Sequence, residues 1–279
     1  MGKMKVLAAV VSACVLCLVL AGCGGGQSSG SASGSAASSA SQASSSVAKS
    51  NKVTAETIVG DWQLGAADVN GARMTGDLSQ MGLSFKLTFK SDNTVTMNME
   101  STMSGTTPTS DSISGNWTFE NGVAHATFTN ESNTTNLDFT ANDDGTITTT
   151  MEGQGTLTFQ RDPSKPEYDI ANSKPVTDIA SIAGNYTIAG AYMMGICITG
   201  DTSAFGMGDT TLVIRADGTA DYTTSGHTIA MKLTTANGTT TANLEGVECP
   251  VTMTGDLLTL DLTSALGGGT QMASFFKKA

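Results

Sequence analysis

Histidine, cysteine, proline and charged residues are all scarce in this chain of 279 residues. It has only two histidines, His125 and His227, and they fall in different halves of the sequence. Neither half therefore offers the pair of histidines that is common in zinc sites. We predict no metal, no cofactor and no catalytic residues, and a hydrolase is kept only as a remote alternative.

The few charges are mostly acidic. Charged residues make up 14% of the chain and the formal net charge is −11. Loss of Lys3 and Lys5 with an N-terminal signal would make the mature chain two charges more negative. This balance repels arrays of phosphates, so it argues against nucleic acid as a partner.

The N-terminus has the layout of a secretion signal. Lys3 and Lys5 precede an almost unbroken apolar run over 6–20, and the sequence Leu-Ala-Gly-Cys follows at 20–23. The run is shorter than the roughly 20 residues that span a bilayer. An uncleaved helix and a plain signal peptide are the two alternatives.

The sequence at 20–23 resembles the lipobox of bacterial lipoproteins. The resemblance implies that 1–22 is a signal peptide and that Cys23 carries a diacylglycerol. The protein would then be held at the cell membrane by its lipid anchor and would face away from the cytoplasm, since two acyl chains anchor stably.

Low-complexity sequence and proline divide the rest of the chain. Residues 23–52 are rich in Gly, Ser and Ala, which predicts a disordered stalk with a reach of roughly 30 Å. Prolines within 163–175 indicate a linker. We expect one module over 53–162 and a second over 176–279.

The two modules share sequence landmarks in the same order. Three segments of the first recur in the second at offsets of 124 or 125 residues, namely 57–62 at 181–186, 76–77 at 200–201 and 89–94 at 214–219. Matches at a nearly constant offset indicate a duplicated structural unit.

Each module has the pattern of an antiparallel β-meander. Apolar residues alternate with polar ones over 83–89 and 95–99, a period typical of strands with one buried face. Asn-Gly and Asp-Gly pairs between such runs indicate tight hairpins. We predict an all-β fold of two tandem small antiparallel barrels, with short helical segments at 77–81 and 202–205.

The sequence Gly60-Asp61-Trp62 resembles the opening strand of a lipocalin. In that family the tryptophan closes the base of the barrel and a late basic residue packs over it. The resemblance implies that Arg161 packs over Trp62 through a cation–π contact. In the second module, Tyr186 stands in place of the tryptophan.

Two cysteines remain after removal of the signal and the assignment of Cys23 as the anchor. Cys197 and Cys249 either form a disulfide, which would stabilise the fold by up to roughly 4 kcal/mol, or remain as buried thiols. An extracytoplasmic location permits the bridge.

Aromatic and methionine residues at inward positions suggest a ligand pocket in the first module. Trp62, Met97, Met99 and Trp117 are the predicted lining, and simple core filling is the alternative. We therefore predict a non-catalytic module that binds a small apolar or amphipathic ligand. A structural or interaction protein displayed at the cell surface, with an envelope component as its partner, is the other hypothesis.

Overall fold

The computed structural model of the protein describes residues 52–101, 109–130, 133–151, 155–162, 165–265, 267 and 270–279. The predicted signal, Cys23 and nearly all of the predicted stalk lie outside these residues. Within them the chain is all-β, with only short 3-10 helices beside the strands, which confirms the all-β part of the predicted fold. No helix in the described ranges is both long and apolar enough to cross a bilayer.

The first half of the chain contains a closed antiparallel barrel of eight strands with an extra strand outside it. Strand β1 pairs with both β3 and β9, and each strand from β3 to β9 pairs with the next. We call β1 and β3–β9 the first ring. The strands of this half are β1 (Gly60–Val69), β2 (Ala72–Gly76), β3 (Leu83–Phe89), β4 (Thr94–Ser101), β5 (Thr109–Glu120), β6 (Val123–Asn130), β7 (Asn133–Ala141), β8 (Ile147–Met151) and β9 (Gly155–Gln160).

The second half repeats this pairing pattern. Strand β11 pairs with both β13 and β19, and successive hairpins join β13 to β19. We call β11 and β13–β19 the second ring. The strands of this half are β10 (Lys174–Pro175), β11 (Gly184–Met193), β12 (Ile196–Gly200), β13 (Thr211–Ile214), β14 (Thr219–Thr224), β15 (His227–Ala236), β16 (Thr239–Leu244), β17 (Val247–Thr254), β18 (Leu257–Asp261) and β19 (Met272–Lys278).

Alternation and turn chemistry explain why these segments become strands. In β3, Phe85, Leu87 and Phe89 are buried, whereas Lys86 is exposed. The hairpin between β5 and β6 turns at Asn121, whose φ is +51°, in the left-handed region that asparagine tolerates better than most residues. The predicted strand period and the predicted Asn-Gly turns are both confirmed here.

The two predicted helical segments are 3-10 helices at equivalent places in the two halves. They are Leu78–Met81 and Thr202–Phe205, each directly after an aspartate. The side chains of Asp77 and Asp201 accept hydrogen bonds from backbone N–H groups two residues on, at 3.1 and 3.0 Å. These bonds satisfy donors that a helix start leaves free.

Strands β2 and β12 join the two halves. They form an antiparallel ladder in which Met74 lies opposite Ile198, Ala72 opposite Gly200 and Gly76 opposite Ile196. Met74 and Ile198 are equivalent residues of the duplicated sequence, 124 positions apart. The contact is therefore approximately two-fold symmetric, like the isologous interface of a homodimer.

The repeated Gly-Asp landmark is explained by this contact. Gly76 has a φ of +113° and a side chain there would collide with the carbonyl oxygen of Gly195. Gly200 has a φ of +79° and a side chain there would collide with the carbonyl oxygen of Gly71. Each half thus needs a glycine where the other half's hairpin turn passes.

The predicted linker at 163–175 contributes to this junction in the part that is described. The backbone N–H of Glu167 donates to the Thr75 hydroxyl at 2.7 Å. The Tyr168 ring lies 5.7 Å from the Phe275 ring, centroid to centroid, and Lys174–Pro175 pairs with β17. The segment packs against both halves rather than merely spacing them.

Replacement of Gly76 by alanine tests the junction. Gly122→Ala is the matched control, because Gly122 has a φ of +82° but an added Cβ would meet nothing within 4 Å. We expect the control to lose about 1–2 kcal/mol of unfolding free energy through backbone strain. Gly76→Ala should lose about 1–3 kcal/mol more through overpacking, as measured by denaturant unfolding. Equal losses would contradict the close approach of the two halves.

Candidate functional site

The base of the first ring is closed by Trp62 and Arg161. Trp62 is 1% exposed, and its indole N–H donates to the Ile58 carbonyl at 2.8 Å. The Arg161 guanidinium carbon lies 4.3 Å from the centre of the indole, and the same group donates to the Val59 carbonyl at 3.0 Å. Burial lowers the pKa of Arg161. The cation–π contact expected from the lipocalin resemblance is confirmed.

The second ring has the same closure with different residues. The Tyr186 hydroxyl donates to the Ile182 carbonyl at 2.7 Å, the same four-residue step as in the first ring. Lys278 donates to the Ala183 carbonyl at 3.0 Å and so takes the place of Arg161. The Gly-x-aromatic landmark of both halves therefore marks this base. A side chain at Gly184 would lie 2.7 Å from Lys278 Cε.

Trp117 belongs to the same closed base. Its indole N–H donates to the Lys90 carbonyl at 3.1 Å, and its ring packs edge-on to Phe89 at 5.4 Å. Phe139 and Phe159 continue this chain of edge-to-face rings at 5.7 and 6.0 Å, a favoured geometry for aromatic pairs. Both indole N–H groups of the predicted pocket are thus bonded to the protein's own backbone.

At the end away from the base, the interior of the first ring is lined by methionine and aliphatic side chains. Met97 and Met99 are buried, and Ile113, Leu137 and Met151 are partly buried against the same core. Along β4, Met99 lies two residues further from the base than Met97, and Leu87 lies opposite both Met97 and Trp62. The two tryptophans close the base, whereas the methionines extend toward this second end, which we call the apolar end.

Thr149 carries an unpaired hydroxyl within this apolar region. It lies on β8 between Ile147, which belongs to the core of the first ring, and Met151, which packs against that core. Because side chains alternate along a strand, Thr149 also points inward. It is 2% exposed, and its Oγ1 has no hydrogen-bond partner in the described part of the chain. A buried polar atom without a partner costs free energy, and the sequence pattern gave no sign of it.

Of the two alternatives for Cys197 and Cys249, the structure has the buried thiols and not the bridge. Both cysteines are free and buried. Cys197 packs with Tyr192 and Phe275, whereas Cys249 lies in the core of the second ring. Burial raises the pKa of the Cys197 thiol to about 11 and also raises the pKa of Cys249. Sequence spacing could not show that the two side chains belong to separate clusters.

The two histidines and the acidic turn residue Asp144 do not converge on one site. His125 pairs with Asp138 at 2.7 Å on an exposed strand face, and His227 begins β15 opposite Thr224 in the other ring. Asp144 accepts hydrogen bonds from Thr146 in a hairpin turn. In the described ranges no group of three or more His, Cys, Asp or Glu residues is placed to hold a metal ion.

Replacement of Thr149 by valine tests whether its hydroxyl is unpaired. Valine keeps the shape and removes the unsatisfied group, so we expect a gain of about 1 kcal/mol in unfolding free energy. Thr240→Val is the matched control, because Thr240 is also buried but its hydroxyl bonds to Thr235 at 2.8 Å. The control should lose stability in the same denaturant titration. A loss of similar size in Thr149→Val would show that its hydroxyl has a partner.

One comparison with known proteins agrees with the fold of the first ring. Residues 58–144 match the model of a family described as a lipocalin-like domain, a stretch that begins at the acceptor of the Trp62 indole and runs through β7. The crystal structure of the Cpx pathway activator NlpE from Escherichia coli is 13% identical over 71% of this chain and 88% of that chain. Its TM-score of 0.25 is too low to establish a shared arrangement. No curated protein sequence matches the chain.

Proposed function

We propose that the protein is a lipid-anchored envelope protein of two tandem lipocalin-like barrels, the first of which binds a small apolar or amphipathic molecule. The match to a lipocalin-like domain over 58–144 supports the barrel type. The shared pairing pattern of the two rings and their equivalent bases support the tandem arrangement. The resemblance of the sequence at 20–23 to a lipobox supports the anchor.

The unpaired Thr149 hydroxyl is the observation that carries the binding proposal. Ligand sites are mostly apolar and contain a few polar groups that orient the ligand. The apolar end provides Met99, Ile113, Leu137 and Met151 for a hydrocarbon part. Thr149 can donate to or accept from a polar head. The indole N–H groups of Trp62 and Trp117 bond to the backbone at the base of the same ring.

The neutral fluorophore N-phenyl-1-naphthylamine tests this site. We expect a saturable rise in fluorescence at one probe per chain, because the dye passes from water into the apolar end. Met151→Lys should weaken binding at least tenfold, equivalent to about 1.4 kcal/mol, by placing a charge there. Met194→Lys is the control, since Met194 is 41% exposed in a hairpin turn, and it should bind the dye like the unchanged protein.

Competition by 1-decanol then tests the role of the Thr149 hydroxyl. Thr149→Val should reduce the competition by decanol about three- to tenfold, the value of one net hydrogen bond, and leave dye binding unchanged. Absence of dye binding, or equal binding to Met151→Lys, would overturn the proposed site.

An interaction role at the cell surface is the second candidate function. Threonine hydroxyls pair across neighbouring strands on the outer faces, as in Thr223 with Thr228 at 2.9 Å and Thr150 with Thr156 at 3.1 Å. Such faces offer ordered donors and acceptors to an envelope component. The test is to pass envelope extracts over the immobilised protein. If no specific component is retained, the result counts against this role.

Replacement of Cys23 by alanine tests the anchor. The variant lacks the thiol that would be lipidated, so we expect it to leave the membrane fraction and to appear in the soluble fraction. Ser28→Ala, in the predicted stalk, is the control and should remain with the membrane. Fractionation followed by immunoblotting gives the result, and membrane retention of Cys23→Ala would contradict lipid anchoring.

A further inference from the structure

The same interior positions are apolar in the first ring and carry hydroxyl groups in the second. The equivalence follows from the offset of 125 residues in β3 and β4. For β9 and β19 it follows from strand register. Leu64 and Ile188 are equivalent residues, 124 positions apart, and they lie opposite Phe159 of β9 and Phe276 of β19, respectively. Phe85, Met97, Met99 and Leu157 of the first ring correspond in this way to Thr210, Tyr222, Thr224 and Ser274 of the second.

We call these four side chains of the second ring the hydroxyl cluster. Thr210 and Thr224 are joined by a hydrogen bond between their hydroxyls at 3.0 Å. The Tyr222 ring crosses the interior and packs edge-on to Phe276 at 6.2 Å. Burial raises the pKa of Tyr222, and the side chains of Ser274 and Thr224 near its hydroxyl partly offset this rise. Tyr222 thus separates the apolar core near Phe276 from a polar end.

The hydroxyl cluster has both a buried floor and an accessible side. Thr210 and Ser274 are 2% and 3% exposed, whereas Tyr222 and Thr224 are partly exposed. His227 lies opposite Thr224 at the rim and is exposed. A molecule from solvent would therefore meet Tyr222 and Thr224 first and the two buried hydroxyls beneath them.

We propose that the hydroxyl cluster is a binding site for a small uncharged molecule rich in hydroxyl groups. Each Ser, Thr or Tyr hydroxyl both donates and accepts hydrogen bonds, which matches the mixed donor and acceptor character of a polyol or sugar. The cluster contains no charged side chain, so an ion would lose its hydration without gaining a counter-charge. The site is separate from the apolar end of the first ring and does not depend on the function proposed there.

Saturation-transfer NMR on the purified full chain tests this site, with glucose, N-acetylglucosamine and glycerol as separate probes. We expect saturation transfer to at least one of the two sugars. Thr224→Val and Tyr222→Phe should each reduce that transfer at least threefold, because a site built for hydroxyls loses affinity when a partner is missing. Thr224→Ser keeps the hydroxyl and should retain it.

Thr228→Val is the matched control, because Thr228 is on the outer face of β15 and exposed, and it should bind like the unchanged protein. Thermal unfolding of each variant shows that it is folded. Because Thr224 is partly exposed, Thr224→Val decides the question if Tyr222→Phe does not fold. Absence of transfer to all three probes, or full transfer in Thr224→Val, would overturn the proposal. N-phenyl-1-naphthylamine binding should stay unchanged in these variants.

Discussion

The double pairing of β1 is the constraint on which the rest of the structure depends. Its first residues pair with β3, and on its other edge it pairs with β9 across an irregularity between Leu64 and Ala66. Beyond that point β1 continues to Val69 and pairs with β2 instead of β3. The strand that closes the first ring therefore also carries a strand outside it, and β11 does the same for β12.

An outer strand of this kind leaves a row of backbone groups without partners, which invites association. Pairing of β2 with β12 satisfies both edges at once. Ile196 and Ile198 of β12 then pack into the core of the first half. Because equivalent residues face each other across the ladder, the same pairing satisfies the free edge of both β2 and β12. Gly76 and Gly200 provide the space for this close approach.

Comparison of the two rings separates what the fold requires from what it leaves free. Both bases use an aromatic polar atom bonded to the carbonyl four residues earlier and a late cation over the entering chain. The opposite ends of the interiors differ. The first has apolar side chains and one unpaired hydroxyl, whereas the second has several hydroxyl groups, of which those of Thr210 and Thr224 are hydrogen-bonded to each other. Closure is thus kept in both copies, and chemical differences are confined to the ends.

Local patterns in the sequence predicted the local features, but they did not predict contacts between distant segments. Alternation and Asn-Gly turns identified strands and hairpins, and short helical segments were expected at 77–81 and 202–205. The lipocalin resemblance placed Arg161 over Trp62. The assignment of Trp62 and Trp117 to a pocket stays a prediction, and hydrophobicity alone did not show that both indoles bond to the protein's own backbone. The unpaired state of Thr149 and the separation of Cys197 from Cys249 depend on three-dimensional neighbours.

Hydrogen exchange at the junction tests the central claim most directly. If β2 and β12 pair as described, the amides of Ala72–Gly76 and Ile196–Gly200 that bond across the ladder should exchange as slowly as those of the ring strands β11 and β19. Mass spectrometry of peptides that cover these segments would show it. Fast exchange in both segments, with the ring strands still protected, would contradict the account, because it would mean that the two halves do not share a sheet.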